Sequence, residues 1–262
     1  MKHTLSLCCI IKDETNLEEF IIFHNIVGVE HFYIYDNNSS HPIRERLNLP
    51  YFLNICTIID FPGKNKQLDA YTNCINRTKN ETKWLILCDG DEYIVPKKYW
   101  TIRDFLNDYD DAQAIGINWV LFGTSFHDNK KEGYLIDNYR YSGGRNPHIK
   151  TICKPLYTLS VAGPHNVNVE DPSKYIDAKY NILNSPFNNN YTTDIIQINH
   201  YHSKSVKELH EKYNRGNADS DYLRIRIPKN PHNEDNYILN NYAPDKYLEI
   251  IKYFFRFVLK KT

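Results

Sequence analysis

The chain has 262 residues, enough for one large domain, and its 41% apolar content is enough to bury a sizeable core. Its 32 Lys and Arg balance its 32 Asp and Glu, which excludes an overall field favouring nucleic acid or an anionic membrane and leaves any cationic work to local groups. The six cysteines form no C-x-x-C pair, and Cys8, Cys9, Cys56, Cys74 and Cys88 mostly lie in apolar runs, as buried reduced thiols do. The N-terminal apolar stretch is cut off at Lys12-Asp13-Glu14, too early for a signal peptide or membrane anchor, so a reducing, cytoplasmic setting is expected.

In chain order, Leu5 to Ile11 has the apolar character of a buried strand. Glu14 to Val27 places Leu17, Phe20, Ile21, His24 and Val27 at helical spacing, and Gly28 is a natural stop. His31 to Tyr35 is a second strand, ending in the turn formers Asp36 to Ser40. Asn54 to Asp60 is a third, Gln67 to Thr78 a helix and Trp84 to Cys88 a fourth strand. This alternation predicts an α/β fold, a Rossmann-like and mostly parallel central sheet with helices on both faces. Beyond about residue 110 the pattern loosens. Ala114 to Phe122, Thr151 to Leu159 (one strand or two) and Ile195 to Tyr201 read as strands between loops rich in Asn, Gly, Pro and His, with helices at Ser205 to Asn217 and Asp245 to Leu259. No repeat or linker divides residues 1–262, so one domain is expected, with an irregular C-terminal part.

Ligands of such sheets sit at the carboxyl ends of the strands, which directs attention to Lys12 to Glu14, Asp36 to Asn38, Phe61 to Lys66 and Asp89 to Glu92. The strongest local signal is Asp89-Gly90-Asp91-Glu92 after a buried strand: two carboxylates spaced by one residue suit a hard cation and its attached diphosphate. Three acids in four positions repel one another, and a bound Mn²⁺ or Mg²⁺ is the natural compensation, whereas a plain acidic turn is the bland alternative. Asp36 with Asn37 is a candidate for a uracil or ribose contact or, equally, for an Asx turn capping the next helix. Lys12 and Glu14 are candidates for the base or ribose, Glu14 equally for a first-turn helix residue. Lys64 lies in a loop before a helix and is either nucleotide-facing or solvated, while Gln67 and Tyr71 share one helical face. Asn199 to Ser205 ends another strand with His200, a suitable third metal ligand, and Lys204, placed to neutralise a leaving diphosphate. Asp128 and Glu170, beside His127 and His165 in later loops, are general-base candidates together with Glu92, or simply solvated. The 21 Tyr suit sugar stacking, although compositional bias accounts for most of them.

Taken together these segments resemble glycosyltransferase family 92 and the related family-2-like transferases. The matching pieces are Ile11 to Glu14 with Glu18, Glu19, Phe20 and His24; Gly28 to Asn37; Gln67, Tyr71 and Cys74; Trp84 to Pro96; Trp119 with Phe122 and Gly123; and Asn199 to Tyr201 with Lys204, Ser205 and Lys212. The resemblance implies a GT-A fold, a nucleotide-sugar donor, Mn²⁺ or Mg²⁺ on Asp89-Gly90-Asp91 and inversion at the anomeric carbon; a UDP-sugar is the expected donor and His200 the expected further ligand. It makes about residues 1–110 the nucleotide-sugar half and about 111–262 the side for a glycan, protein or lipid-linked acceptor. A sugar nucleotidyltransferase is the rival reading, opposed by the lack of a glycine-rich, arginine-containing loop after the first strand. A non-catalytic carbohydrate-binding protein is another, opposed by the intact acidic motif. The apolar, basic-ended segment from Tyr247 to Lys261 is a candidate for peripheral membrane contact or for a final helix packed on the core.

Overall fold

The computed structural model describes residues 1–215 and 238–261. Its first half alternates β1 (His3–Ile11), α1 (Leu17–Ile26), β2 (His31–Asp36), α2 (Ile43–Arg46), α3 (Pro50–Ile55), β3 (Cys56–Asp60), α4 (Gln67–Thr78) and β4 (Thr82–Leu87). There follow β5 (Glu92–Pro96), α5 (Ile102–Asn107), β6 (Ala114–Phe122), α6 (Leu135–Asn138), β7 (Tyr141–Cys153), β8 (Thr158–Val161), β9 (Val167–Val169) and β10 (Tyr175–Asp177). β11 (Ile196–His200), α7 (Val206–Arg215), β12 (Ile238–Leu239) and α8 (Tyr242–Tyr253) complete the described chain.

The main sheet runs β3-β2-β1-β4-β7-β6-β11-β5, with β10 also on β6 and β12 on β7. The first four of these strands are parallel, with Ile11 opposite Asp36 and Asp36 opposite Asp60, so the polar segments after β1, β2 and β3 emerge at one edge as expected. The rest departs from the expected parallel sheet. β7 runs antiparallel to both β4 and β6, and β11 antiparallel to β5, so the sheet is mixed. β6 and β7 are consecutive strands that pair directly, joined by residues 123–140 with the short α6 among them.

Helices do cover both faces. Leu5, Leu7, Cys9 and Ile11 of β1 share a core with Phe20 and Phe23 of α1, Phe105 of α5 and Tyr247 of α8. Cys8 and Ile10, on the opposite face, pack with Ala70, Tyr71 and Cys74 of α4. The first core reaches from Leu5 to Ile251 and so joins the two halves of the chain.

Two boundaries differ from the sequence reading. β7 begins at Tyr141, ten residues before the expected Thr151, because Gly143, Gly144 and Pro147 read as loop but are carried by a strand whose register with β6 shifts twice. α8 begins at Tyr242, since Pro244 falls in the first turn where its missing N–H costs nothing, and regular helix ends at Tyr253. The helix expected over Ser205 to Asn217 is α7, whose last expected residues, Asn217 and its neighbour Gly216, lie outside the described residues. The buried face of α8, Ala243, Tyr247, Leu248 and Ile251, packs on the core, while Tyr253 and Phe257 stay exposed. Among the described residues no helix is long and apolar enough to cross a membrane.

Candidate active site

The acidic motif is the junction between the two parts of the sheet. β4 delivers Asp89 beside β1, and the chain then crosses to β5, which pairs with β11 at the other edge. Gly90 is required at this crossing, because a Cβ there would lie 2.5 Å from Ile11 Cδ1 and 3.3 Å from Glu14 Cγ. The turn is closed by Glu92, whose Oε2 accepts from the Asp89 backbone N–H at 2.8 Å.

Asp89 is gripped from two sides. Gln67 Nε2 donates to its Oδ1 at 2.5 Å and Tyr71 OH at 3.3 Å, so the shared face of α4 converges on the motif. Lys150 of β7 approaches its Oδ2 at 3.1 Å and Glu92 at 3.7 Å. Lys150 was not anticipated, and its signal is a charge inside the apolar run Ile149 to Ile152; the pairing of Leu87 with Thr151 carries it to the end of β4. Burial pushes the Lys150 amine down, but Asp89 and Glu92 pull it above the ordinary lysine range, so it stays charged. Burial, aided by Asp89 and Asp91, pushes the Glu92 carboxyl well up against the opposing pull of Lys150. Glu92 is fully buried and braces the turn, away from the residues lining the pocket described below, which opposes the general-base role expected of it.

Asp91 lies across the turn against β11. His200 pairs with Glu92 and Tyr201 N–H donates to Asp91 O at 2.9 Å, which sets the imidazole beside the carboxylate. His200 Nε2 is 3.6 Å from Asp91 Oδ1, and its Nδ1 is buried with no hydrogen-bond partner. Burial holds the His200 imidazole well below the ordinary histidine range despite the pull of Asp91, so it is neutral. On the other oxygen, Lys212 Nζ of α7 sits 2.6 Å from Asp91 Oδ2 and also donates to His202 O at 3.2 Å. Burial would raise the Asp91 carboxyl, but the Lys212 ammonium, with Lys204 beyond it, holds it well below the usual carboxylate range.

An open pocket of about 410 Å³, its mouth included, lies over Asp91 and is lined by Asp13, Glu14, Lys204, Glu208, Glu211 and Lys212 among others. Lys204 Nζ is 2.5 Å from Glu14 Oε1. Asp13 and Lys204 both hold left-handed backbone, φ 54° and 50°, which is uncommon for a lysine. Ser205 and Glu208 form a reciprocal cap that starts α7 and aims Glu211 and Lys212 at the pocket. The spacing of Ser205 and Glu208 is legible in the sequence, whereas the destination of Lys212 is not.

The acidic motif is therefore not uncompensated, as its sequence suggested: Lys150 and Lys212 already supply the counter-charge. Asp91 and His200 nevertheless fit a divalent cation. A carboxylate oxygen and a neutral imidazole nitrogen separated by 3.6 Å are too far apart for a hydrogen bond and within reach of a shared ion. No group of three or more His, Cys, Asp or Glu side chains is placed to hold an ion among the described residues.

The other expected residues separate into two groups. Both Asp36 oxygens accept backbone N–H groups, from Ser39 and Ile43 at 2.9 Å, which is the turn-capping alternative. Asn37 Nδ2 donates to Phe61 O at 2.8 Å and Gly63 O at 2.9 Å and ties the β2 and β3 loops together. Lys12 and Lys64 are exposed at the same sheet edge. Asp128 and Glu170 are exposed and do not line the pocket; the former adjoins α7, where Lys207 N–H meets its backbone oxygen, and the latter follows β9. Trp119, one of the residues that carry the resemblance, lies 4.3 Å from His200, ring centre to ring centre, and 5.0 Å from both His148 and His165, a grouping the sequence reading did not assemble.

The sequence model described as "Glycosyltransferase family 92" matches residues 3–238. The chain belongs to glycosyltransferase family 92. Family 92 proteins of Oryza sativa subsp. japonica and Arabidopsis thaliana are 29% and 32% identical over 117 and 96 residues, covering 44% and 36% of this chain and 20% and 16% of those proteins. A family 92 protein of Ricinus communis is 22% identical over 222 residues, 81% of this chain and 38% of that protein. The matches thus span about a sixth to two fifths of the length of these family 92 relatives. Among solved structures, S. aureus TarS in complex with UDP superposes with a TM-score of 0.37 at 12% identity, over 59% of this chain and 47% of that one. A putative glucose-1-phosphate thymidylyltransferase from Bacillus anthracis superposes with a TM-score of 0.35 at 6% identity, over 58% and 72%.

Proposed function

We propose that this family 92 domain moves a sugar from a nucleotide-sugar donor, a UDP-sugar, to a hydroxyl of a glycan, protein or lipid-linked acceptor. The observation that carries the reading is the convergence of Asp91, Lys204 and Lys212 on one pocket at the carboxyl edge of the parallel strands, with the buried His200 standing 3.6 Å from Asp91. Asp91 and His200 would hold Mn²⁺ or Mg²⁺, with Asp89 placed for the ribose or a water near the ion. When bound, the ion supplies counter-charge to the departing diphosphate.

The chain's own residues divide the rest of the work. Gln67, Tyr71 and Lys150 fix Asp89, and Lys204 and Lys212 offer ammonium donors to the diphosphate. Among the carboxylates lining the pocket, Glu14 and Asp91 hold lysines, Glu208 holds Ser205, and Asp13 accepts from the Ser40 N–H and hydroxyl. Glu211, exposed at the rim, is then the group placed to take the acceptor's proton in a single, inverting displacement. A thermal-shift screen of nucleotide sugars with and without Mn²⁺ tests the donor half, with a UDP-sugar stabilising the protein only when the metal is present; a saturating ligand at a hundred times its Kd adds about 2.7 kcal/mol. Absence of donor hydrolysis for every nucleotide sugar, together with absence of metal-dependent nucleotide binding, sinks the reading.

A further inference from the structure

We propose that Lys212 is a built-in counter-ion of Asp91 that makes divalent-cation binding conditional on the nucleotide diphosphate. The inference rests on the donor reading above and concerns the order in which the site fills.

The Asp91 carboxylate is divided between two neighbours of different kinds. Its Oδ2 holds the Lys212 ammonium at 2.6 Å, which is anchored a second time on His202 O at 3.2 Å. Its Oδ1 faces His200 Nε2 across 3.6 Å, beyond hydrogen-bond length, and the other nitrogen of that buried ring has no partner. A buried imidazole with both nitrogens outside hydrogen bonds is an incomplete site, and the side of Asp91 turned toward it is where an ion enters.

The carboxylates of the motif and Glu14 already have ammonium partners, while Asp13, Glu208 and Glu211 also line the pocket. Asp91 is balanced by Lys212, Glu14 by Lys204, and Asp89 with Glu92 by Lys150. A bare divalent ion arriving at Asp91 and His200 therefore shares one carboxylate with an ammonium and meets repulsion from it. A diphosphate reverses the balance, because its anionic oxygens are counter-charge for the ion and for Lys212 together. Side-chain exposure of 24% at Lys212, on the wall of the pocket, leaves its Nζ able to turn from Asp91 to an incoming phosphate. By linkage, the factor by which the diphosphate tightens the metal is the factor by which the metal tightens the diphosphate.

The experiment is a Mn²⁺ titration followed by the electron paramagnetic resonance of the free ion, with the wild-type protein, Lys212→Met and Lys212→Arg, each without and with saturating UDP. In the wild type, UDP should tighten Mn²⁺ by at least about ten-fold. Lys212→Met should bind Mn²⁺ alone about ten-fold tighter than the wild type and gain less from UDP, while Lys212→Arg behaves as the wild type. Two results overturn the proposal: a natively folded Lys212→Met, judged by circular dichroism, that binds Mn²⁺ alone no tighter than the wild type, or a wild type whose Mn²⁺ affinity UDP leaves unchanged although UDP binds. The second reads the wild type alone, so a variant that fails to fold does not protect the idea. Failure of UDP to bind at all under any condition instead removes the donor reading, and the Mn²⁺-only comparison still reports on Lys212.

Discussion

Lys150 holds together the half of the motif that faces β4. Its side chain is 1% exposed, and its ammonium spans Asp89 at 3.1 Å and Glu92 at 3.7 Å. Removing the charge while keeping the bulk leaves Asp89 with only the neutral donors Gln67 and Tyr71 and leaves Glu92 without a cation. Lys150→Met is therefore expected to cost about 3 kcal/mol, read as a lower urea midpoint with an unchanged slope, and Asp89→Asn in the same chain should restore part of the loss. The acidic motif was legible from its place after a buried strand. Lys150 was not, because it lies 61 residues beyond Asp89 by numbering and reaches it only through the antiparallel pairing of β7 with β4. A histidine tells the same story: His200 was recognisable as a strand-end ligand candidate, whereas its 3.6 Å approach to Asp91 depends on β11 pairing with β5.

At the scale of elements, the turn from β4 to β5 is held to one shape by contact with its neighbours. Gly90 is needed for close approach and not for an unusual backbone angle, since the space a Cβ requires is filled by Ile11 and Glu14. Gly90→Ala is expected to lose about 1–3 kcal/mol by overpacking. Its displacement of Glu14 should also disturb the Lys204 ion pair and weaken nucleotide binding, measurable by comparing its thermal shift with UDP and Mn²⁺ to that of the wild type. The local rhythm of strand and helix made β1 to β4 readable, because each apolar run is followed by turn formers and a helical period. β7 and the start of α8 were misplaced, since glycine and proline there are tolerated by a register shift and by a first helical turn that local reading does not foresee.

At the scale of the whole molecule, two buried groups under the sheet couple stability to pH with opposite signs. His24 accepts the Ile94 N–H at 3.2 Å and meets Phe20 O at 2.9 Å, and burial pushes it down to about 3. Its neutral form is favoured by folding, so its contribution is complete above the ordinary histidine range and is lost as pH falls from about 6.5 toward 3. Glu19 receives the Leu135 and Ile136 N–H groups, and burial pushes its carboxyl up to about 7, so its contribution is lost as pH rises from about 4.5 toward 7. The two partly cancel in the wild type, and a variant isolates one of them. Relative to His24→Gln, the wild type should lose about 2 kcal/mol of unfolding free energy between pH 7 and pH 5, measured by urea denaturation; a constant difference between the two proteins disproves the assignment.

By itself the sequence determined the α/β class, the strands that present Lys12, Asp36 and Asp89 at one edge, and the chemistry available in the acidic motif and in the segment Asn199 to Ser205. These are local quantities, set by side-chain periodicity and by the residue types that end strands and start helices. The tertiary structure alone decided that the sheet is mixed, that Asp89 and Asp91 face different lysines, and that Glu92 is buried beneath the turn. Those outcomes depend on which distant strands exchange hydrogen bonds, and one antiparallel strand, β7, inserted beside β4 carries Lys150 to the site and separates the two carboxylates into different electrostatic surroundings.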